Sequence, residues 1–106
     1  MDLLEKKNFY NNLYDYYREL LTKKQQAYFE NYYFDDLSLA EIAENYHVSR
    51  SAVFDQLQKV YTALEHYEEK LGLLDKYHKR NDLFEEYLAL EQPKMNELIE
   101  KLKNLE

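Results

Sequence analysis

The sequence predicts an all-α protein, and three observations predict it. One glycine and one proline stand among 106 residues that are otherwise mostly helix formers. Apolar side chains recur at intervals of three and four along most of the chain. Three hydroxyl residues, Thr22, Ser38 and Ser49, stand where helices would start. Each can accept from amides that a helix N-terminus leaves without partners.

Residues 3–21 read as a first helix. Phe9, Leu13, Tyr16, Tyr17, Leu20 and Leu21 form its apolar stripe, with Asp15, Arg18 and Glu19 outside it. Thr22 and Gln25 make a capping box that opens a second helix, from Lys23 to about Phe34. Tyr28, Phe29, Tyr32 and Tyr33 give that helix an aromatic face. Asp35-Asp36-Leu37 forms a loop, and Ser38 with Glu41 makes a second capping box on a short third helix. Leu21 and Leu37, each just before a cap, are placed for hydrophobic staples.

The short helix gives way to a turn at Asn45-Tyr46-His47, and Ser49 caps a fourth helix. Ala43 is small where two crossing helices would touch, and Ile42, Val48, Val53 and Leu57 can close a core behind it. The fourth helix is long, from Ser49 to Leu71, with Gly72 as its stop. Val53, Leu57, Val60, Leu64, Tyr67 and Leu71 are spaced 4-3-4-3-4, a heptad pattern. Its second half requires cover from the first helix, the C-terminal region or another subunit.

Beyond Gly72, residues 73–80 continue helical but polar. Asp82 is a cap candidate for a further helix with Leu83, Phe84, Tyr87, Leu88 and Leu90. Pro93 suits the first turn of a last helix, striped by Met95, Leu98, Ile99, Leu102 and Leu105. The chain therefore divides into a helix-turn-helix domain over 1–72, with its motif at 38–64, and an extension over 73–106. The extension is expected to pack on the long helix or on a second subunit.

A short helix, a tight turn and a longer second helix make the plan whose second helix can enter a DNA major groove. With Val53 at zero and about 100° per residue, Leu57, Val60 and Leu64 fall within about 40° of it. Ser51, Asp55, Gln58 and Thr62 fall on the opposite side, and Arg50 and Phe54 flank the apolar stripe. Arg50 can read guanine or hold a phosphate, Gln58 can read adenine, and Asp55 can accept from a cytosine amine.

Charge works against this function. The chain holds 14 basic and 21 acidic residues, a net charge of −7, and nonspecific DNA affinity comes largely from lysine and arginine. No segment is basic: residues 1–21 hold three bases and four acids, 22–48 two and five, 49–72 three and four, and 73–106 six and eight. Twelve tyrosines without a tryptophan suit a small core whose edges stay wet, and also suit base stacking. With no cysteine there is no disulfide and no thiolate metal site, as expected for the cytoplasm. His47, His66 and His78 share no helical spacing, so no metal ligand set is expected. No nucleophile–base pair or glycine-rich phosphate loop points to catalysis or a cofactor. No apolar run approaches the length of a membrane span.

From Leu21 to Leu64 the pattern resembles region 4 of bacterial sigma factors, in Leu21, Gln25, Tyr32, Leu37-Ser38, Glu41-Ile42-Ala43, Val48-Ser49, Val53 and Leu57. Over about residues 8–80 the chain resembles the YlxM family of small helix-turn-helix proteins of Gram-positive bacteria and mollicutes. The segments that carry this are Leu20-Leu21-Thr22-Lys23-Lys24-Gln25, Tyr32-Tyr33, Asp36-Leu37-Ser38-Leu39-Ala40-Glu41-Ile42-Ala43, Val48-Ser49-Arg50-Ser51-Ala52-Val53-Phe54-Asp55 and Glu65-His66-Tyr67-Glu68-Glu69-Lys70-Leu71.

The resemblance implies a sigma-region-4-like bundle and a role in the signal recognition particle pathway, beside whose genes that family lies. It implies no catalytic residue. It puts DNA recognition on Arg50, Ser51, Phe54, Asp55 and Gln58, and phosphate contacts on Lys23, Lys24 and Lys59. One departure is His47, at a turn position usually held by glycine. Two functions are thus expected to compete. One is a homodimeric DNA-binding regulator. The other is an adaptor that uses the same scaffold to bind signal recognition particle protein or RNA.

Overall fold

A computed structural model describes residues 2–106. These residues form six α-helices and no strand: α1 (Leu3–Tyr17), α2 (Lys23–Tyr33), α3 (Leu39–Tyr46), α4 (Arg50–Leu71), α5 (Leu73–Leu88) and α6 (Pro93–Asn104). A 3-10 turn, Arg18–Leu20, joins α1 to α2. The all-α prediction holds. The helices gather into two compact units, one ending at Gly72 and one spanning Leu73–Glu106.

The first unit is built around α4, against which α1, α2 and α3 all pack. Val53, Leu57, Val60 and Leu64 are buried on α4, with Leu13, Tyr14, Tyr17, Phe29 and Ile42 from the surrounding helices. Each such side chain contributes about 1.5–3 kcal/mol on burial, so this stripe is the main source of cohesion. The helix ends are fixed locally. Thr22 Oγ1 accepts from the Gln25 amide at 3.1 Å while Gln25 Oε1 accepts from the Thr22 amide at 3.1 Å. Ser38 and Glu41 repeat the arrangement at the same distances, and Ser49 Oγ accepts from the Ala52 amide at 3.0 Å. Each cap adds about 1 kcal/mol. Gly72 ends α4 in the left-handed region, φ 62°.

Three expectations need correction. The first helix does not run to residue 21, because the chain tightens at Arg18–Leu20 to turn into α2. The buried Gln26 side chain holds that turn, donating to the carbonyls of Arg18 at 2.8 Å and Leu21 at 3.1 Å. The apolar stripe of α1 is also rotated. Tyr10, Leu13, Tyr14 and Tyr17 are buried, Phe9 is half-buried, and Tyr16 and Leu20 are exposed. Tyrosine is favoured there because its ring packs inward while its hydroxyl reaches a carboxylate at the edge. Tyr10 donates to Glu65, Tyr14 to Glu30 at 2.6 Å and Tyr17 to Glu68 at 2.6 Å. The second half of α4 is therefore covered by α1. The third correction concerns Asp82, which caps nothing: α5 runs unbroken from Leu73 to Leu88. Every residue from Lys79 to Leu83 tolerates a helix, and with no glycine or proline there, propagation costs less than a new start.

The second unit is an αα-hairpin in which α5 and α6 pack together across a short loop that includes Glu91 at φ 52°. Arg80 pairs with Glu106 across the hairpin, and Lys103 Nζ lies 5.9 Å from the centre of the Phe84 ring. Leu74 and Ile99 are its buried apolar side chains.

This packing can be tested in two ways. Leu64→Ala, which truncates a fully buried side chain, is expected to cost about 3 kcal/mol, measured by urea unfolding followed by circular dichroism. The second test uses alkaline pH. Burial pushes the Tyr10, Tyr14 and Tyr61 phenols well above their ordinary value of 10.0, and at Tyr10 and Tyr14 the hydrogen bond donated to a carboxylate adds to the rise. A folded pKa above the unfolded one means that this stabilisation is complete below about pH 10 and is lost as pH climbs toward the folded values. The melting temperature should fall progressively above about pH 10, and replacing Tyr10 and Tyr61 together with phenylalanine should flatten that fall.

Candidate nucleic-acid interface

The turn between α3 and α4 determines where the exposed face of α4 points. His47 sits in the left-handed region, φ 56° and ψ 44°, at the position where glycine is usual. The Val48 amide donates to the Ala43 carbonyl at 3.0 Å and the His47 amide to the Glu44 carbonyl at 3.3 Å. These two bonds form a Schellman motif that satisfies the last carbonyls of α3. Ala43 is buried and α3 packs directly on α4. The short helix thus sets the direction of the long one.

Opposite the buried stripe, Arg50, Ser51, Phe54, Asp55, Gln58, Lys59 and Thr62 are all exposed. Arg50 is the first residue of α4. Phe54, a large apolar side chain, is 50% exposed at the edge of this face. The Thr62 hydroxyl donates to the Gln58 carbonyl at 3.1 Å, so its proton is used within the helix. Beyond it a shallow groove of about 460 Å³ continues along Gln58, Lys59, Thr62, Ala63, His66 and Tyr67. Sequence reasoning stopped the face at Thr62. The signal for the groove was Ala63, a small residue between longer ones.

Lys23 and Lys24 occupy the first turn of α2 and are exposed. The helix dipole disfavours cations there and favours an anion instead. Arg50 has the same relation to α4. Lys24 Nζ lies 5.7 Å from the Tyr28 ring centre, and that ring packs edge-on against Tyr46 at 5.0 Å, one residue before the turn. Lys24 is thereby linked through two aromatic rings to the residues that lead into Arg50. The turn before α2 also meets α4 farther along, where the Tyr67 hydroxyl donates to the Leu20 carbonyl at 3.4 Å. Tyr67 is 17 residues beyond Arg50, about 25 Å along the helix axis.

Another cleft, of about 450 Å³, lies between α1, α2 and α4 where Lys7, Tyr33, Asp36 and Tyr61 meet. Lys7 Nζ stands 3.6 Å from Asp36, and Tyr33 donates to Tyr61 at 2.8 Å. Two pairs of its polar groups, Lys7 with Asp36 and Tyr33 with Tyr61, are thus satisfied within the protein. Among the described residues no cluster of histidine, cysteine or carboxylates could hold a metal ion, and no helix is long and apolar enough to cross a membrane.

A family model described as "Putative helix-turn-helix protein, YlxM / p13 like" matches residues 4–105. A UPF0122 protein of Listeria welshimeri is 50% identical over 102 residues, spanning 96% of this chain and 92% of its own length. A UPF0122 protein of Bacillus licheniformis is 48% identical over 105 residues, spanning 97% and 98%. UPF0122 protein YlxM of Bacillus subtilis is 45% identical over 108 aligned residues, with the same coverage.

The strained turn is open to a direct check. His47→Gly removes the left-handed strain on a residue with a Cβ and should raise stability by about 1 kcal/mol, measured as an increased urea midpoint with an unchanged slope.

Proposed function

Because the chain belongs to the YlxM / p13-like family of helix-turn-helix proteins, we propose that it is a DNA-binding regulator, acting as a homodimer in the cytoplasm within the signal recognition particle pathway. The observation that carries the reading is the exposed face of α4, held rigid by the α3 turn and by the buried stripe behind it. Arg50 reads guanine, Gln58 reads adenine, and Phe54 meets a thymine methyl group. Asp55 accepts from a cytosine amine and repels phosphate elsewhere, which makes binding selective. Ser51 adds a short donor and acceptor beside Arg50. Lys23, Lys24 and Lys59 hold phosphates and set register. The protein acts by occupancy and carries out no catalysis. The tie to protein targeting rests on the gene neighbourhood that the sequence resemblance implies.

A second reading is favoured by Asp55 on the reading face and by the net charge of −7. In it the same scaffold is an adaptor that binds signal recognition particle protein or RNA. Selection from a random duplex library, followed by fluorescence anisotropy, separates the two when run in parallel with pull-downs against the particle's GTPase and RNA. DNA recognition predicts that Arg50→Ala costs about 1–3 kcal/mol and relaxes preference at one base. Lys23→Ala should weaken all sequences alike. With three cations at phosphates, the slope of log affinity against log salt is about −3 per protomer. Failure to enrich any duplex at low salt, together with capture of the particle's components, would transfer the function to the adaptor reading.

A further inference from the structure

The two helices of the C-terminal hairpin each expose an apolar seam with the same spacing. On α5 it is Leu83, Tyr87 and Leu90, the last just past the helix end, and on α6 it is Leu98, Leu102 and Leu105. Both run 4-3, the a/d repeat of helices that pack in left-handed bundles. Exposure is graded across the seam. Leu83, Leu90, Leu98 and Leu105, at d, are 54%, 55%, 55% and 82% exposed, while Tyr87 and Leu102, at a, are 43% and 39%. The e positions turn inward. Ile99 is buried, Phe84 is half-buried, and Glu106 meets Arg80 across the hairpin. One flank of each helix therefore closes the hairpin and leaves the d flank uncovered.

The g positions beside that uncovered flank are charged: Lys79 and Glu86 on α5, Lys94 and Lys101 on α6. The exposed Glu86 stands on α5, and the exposed Lys94 and Lys101 stand on α6. The remaining g residue, Lys79, is paired within α5 to Asp75 at 2.8 Å. Lys101 is bridged to Glu97 at 3.1 Å on the same helix, and both pairs are solvent-exposed and hold weakly. Antiparallel helices pair g with g. With Glu86 on α5 and Lys101 on α6, the seam is complementary to itself at that pair after a two-fold rotation, the requirement of an isologous interface.

We infer that the exposed α5–α6 seam is the surface on which a second copy of this chain docks, α5 of each against α6 of the other, to form a four-helix bundle. This rests on the homodimer reading above and assigns it a surface. The d leucines of the two copies interdigitate, Tyr87 and Leu102 fill the centre, and Glu86 pairs with Lys101 of the other copy. A 34-residue hairpin with two buried apolar side chains gains from its twin the core that it lacks alone.

Sedimentation equilibrium of the full chain tests this. The wild type is expected at twice its mass of 13.0 kDa at micromolar concentration. Leu83→Asp or Leu98→Asp, at exposed positions, should raise the dimer dissociation constant at least about a hundredfold, with the helical circular dichroism retained. Glu86→Lys or Lys101→Glu alone should weaken the dimer about tenfold, and both in one chain should restore it to within about threefold. Should an aspartate variant unfold, the charge exchange decides alone. A wild-type monomer overturns both this surface and the dimer reading. A dimer indifferent to the aspartates and to the charge exchange overturns this surface and leaves dimerisation standing.

Discussion

Everything in the first unit depends on one face of α4. Val53, Leu57, Val60 and Leu64 are all but inaccessible to water, and α1, α2 and α3 all pack on the helix that carries them. Four such side chains supply about 6–12 kcal/mol of gross burial, comparable to the whole net stability of a small domain. The same constraint defines the candidate interface. A helix with one face held on three sides presents its other face in a fixed orientation, so Ser51, Asp55 and Gln58 are positioned by residues that never touch a ligand.

The tyrosines explain how so small a chain covers so long a helix. A leucine at position 10, 14 or 17 would fill part of the same space, but the edge of the core at those points faces Glu65, Glu30 and Glu68. A phenol satisfies both sides, with its ring against the core and its hydroxyl donating to the carboxylate. Hydrogen bonds to charged groups contribute about 1.5–3 kcal/mol each. The arrangement also bears on the acidic balance. Three of the 21 carboxylates hold α1 in place, and a part of the net negative charge is thereby structural.

What could be read from the sequence was what local chemistry decides. The capping boxes at Thr22 and Ser38, the stop at Gly72 and the inward face of α4 depend on residues at most four positions apart, or on a regular period. The left-handed turn at His47 was visible because glycine is usual there. The rotation of the α1 stripe was not visible, since Tyr10 and Tyr17 are selected over Phe9 and Tyr16 by carboxylates 55 and 51 residues away. Asp82 misled for the opposite reason. A good cap residue starts a helix only where the preceding backbone is extended, and nothing between Leu73 and Asp82 forces it to be. At the candidate interface, helical angle alone gave the exposure of Ser51, Asp55, Gln58 and Thr62. The link from Lys24 through Tyr28 to Tyr46 needed the fold, because three helix segments meet there.

Local rules are broken at three places near the α3–α4 turn or the α2 start linked to it, as they also are at Asp36 and Glu91, which take positive φ, and at the exposed leucines of the C-terminal hairpin. His47 takes a backbone conformation that glycine adopts with less strain. Phe54 leaves half its surface in water while smaller residues are buried. Lys23 and Lys24 occupy a helix end where the dipole prefers carboxylates. Each departure costs between a few tenths of a kcal/mol and about 1 kcal/mol, while the caps and stripe around them follow the rules closely. Sequences that are locally consistent elsewhere accept such costs where a surface serves something other than folding. An anion at the α2 and α4 starts and an apolar group over Phe54 would turn two of the three costs into favourable contacts. Such contacts are what the proposed reading of the α4 face requires of its partner.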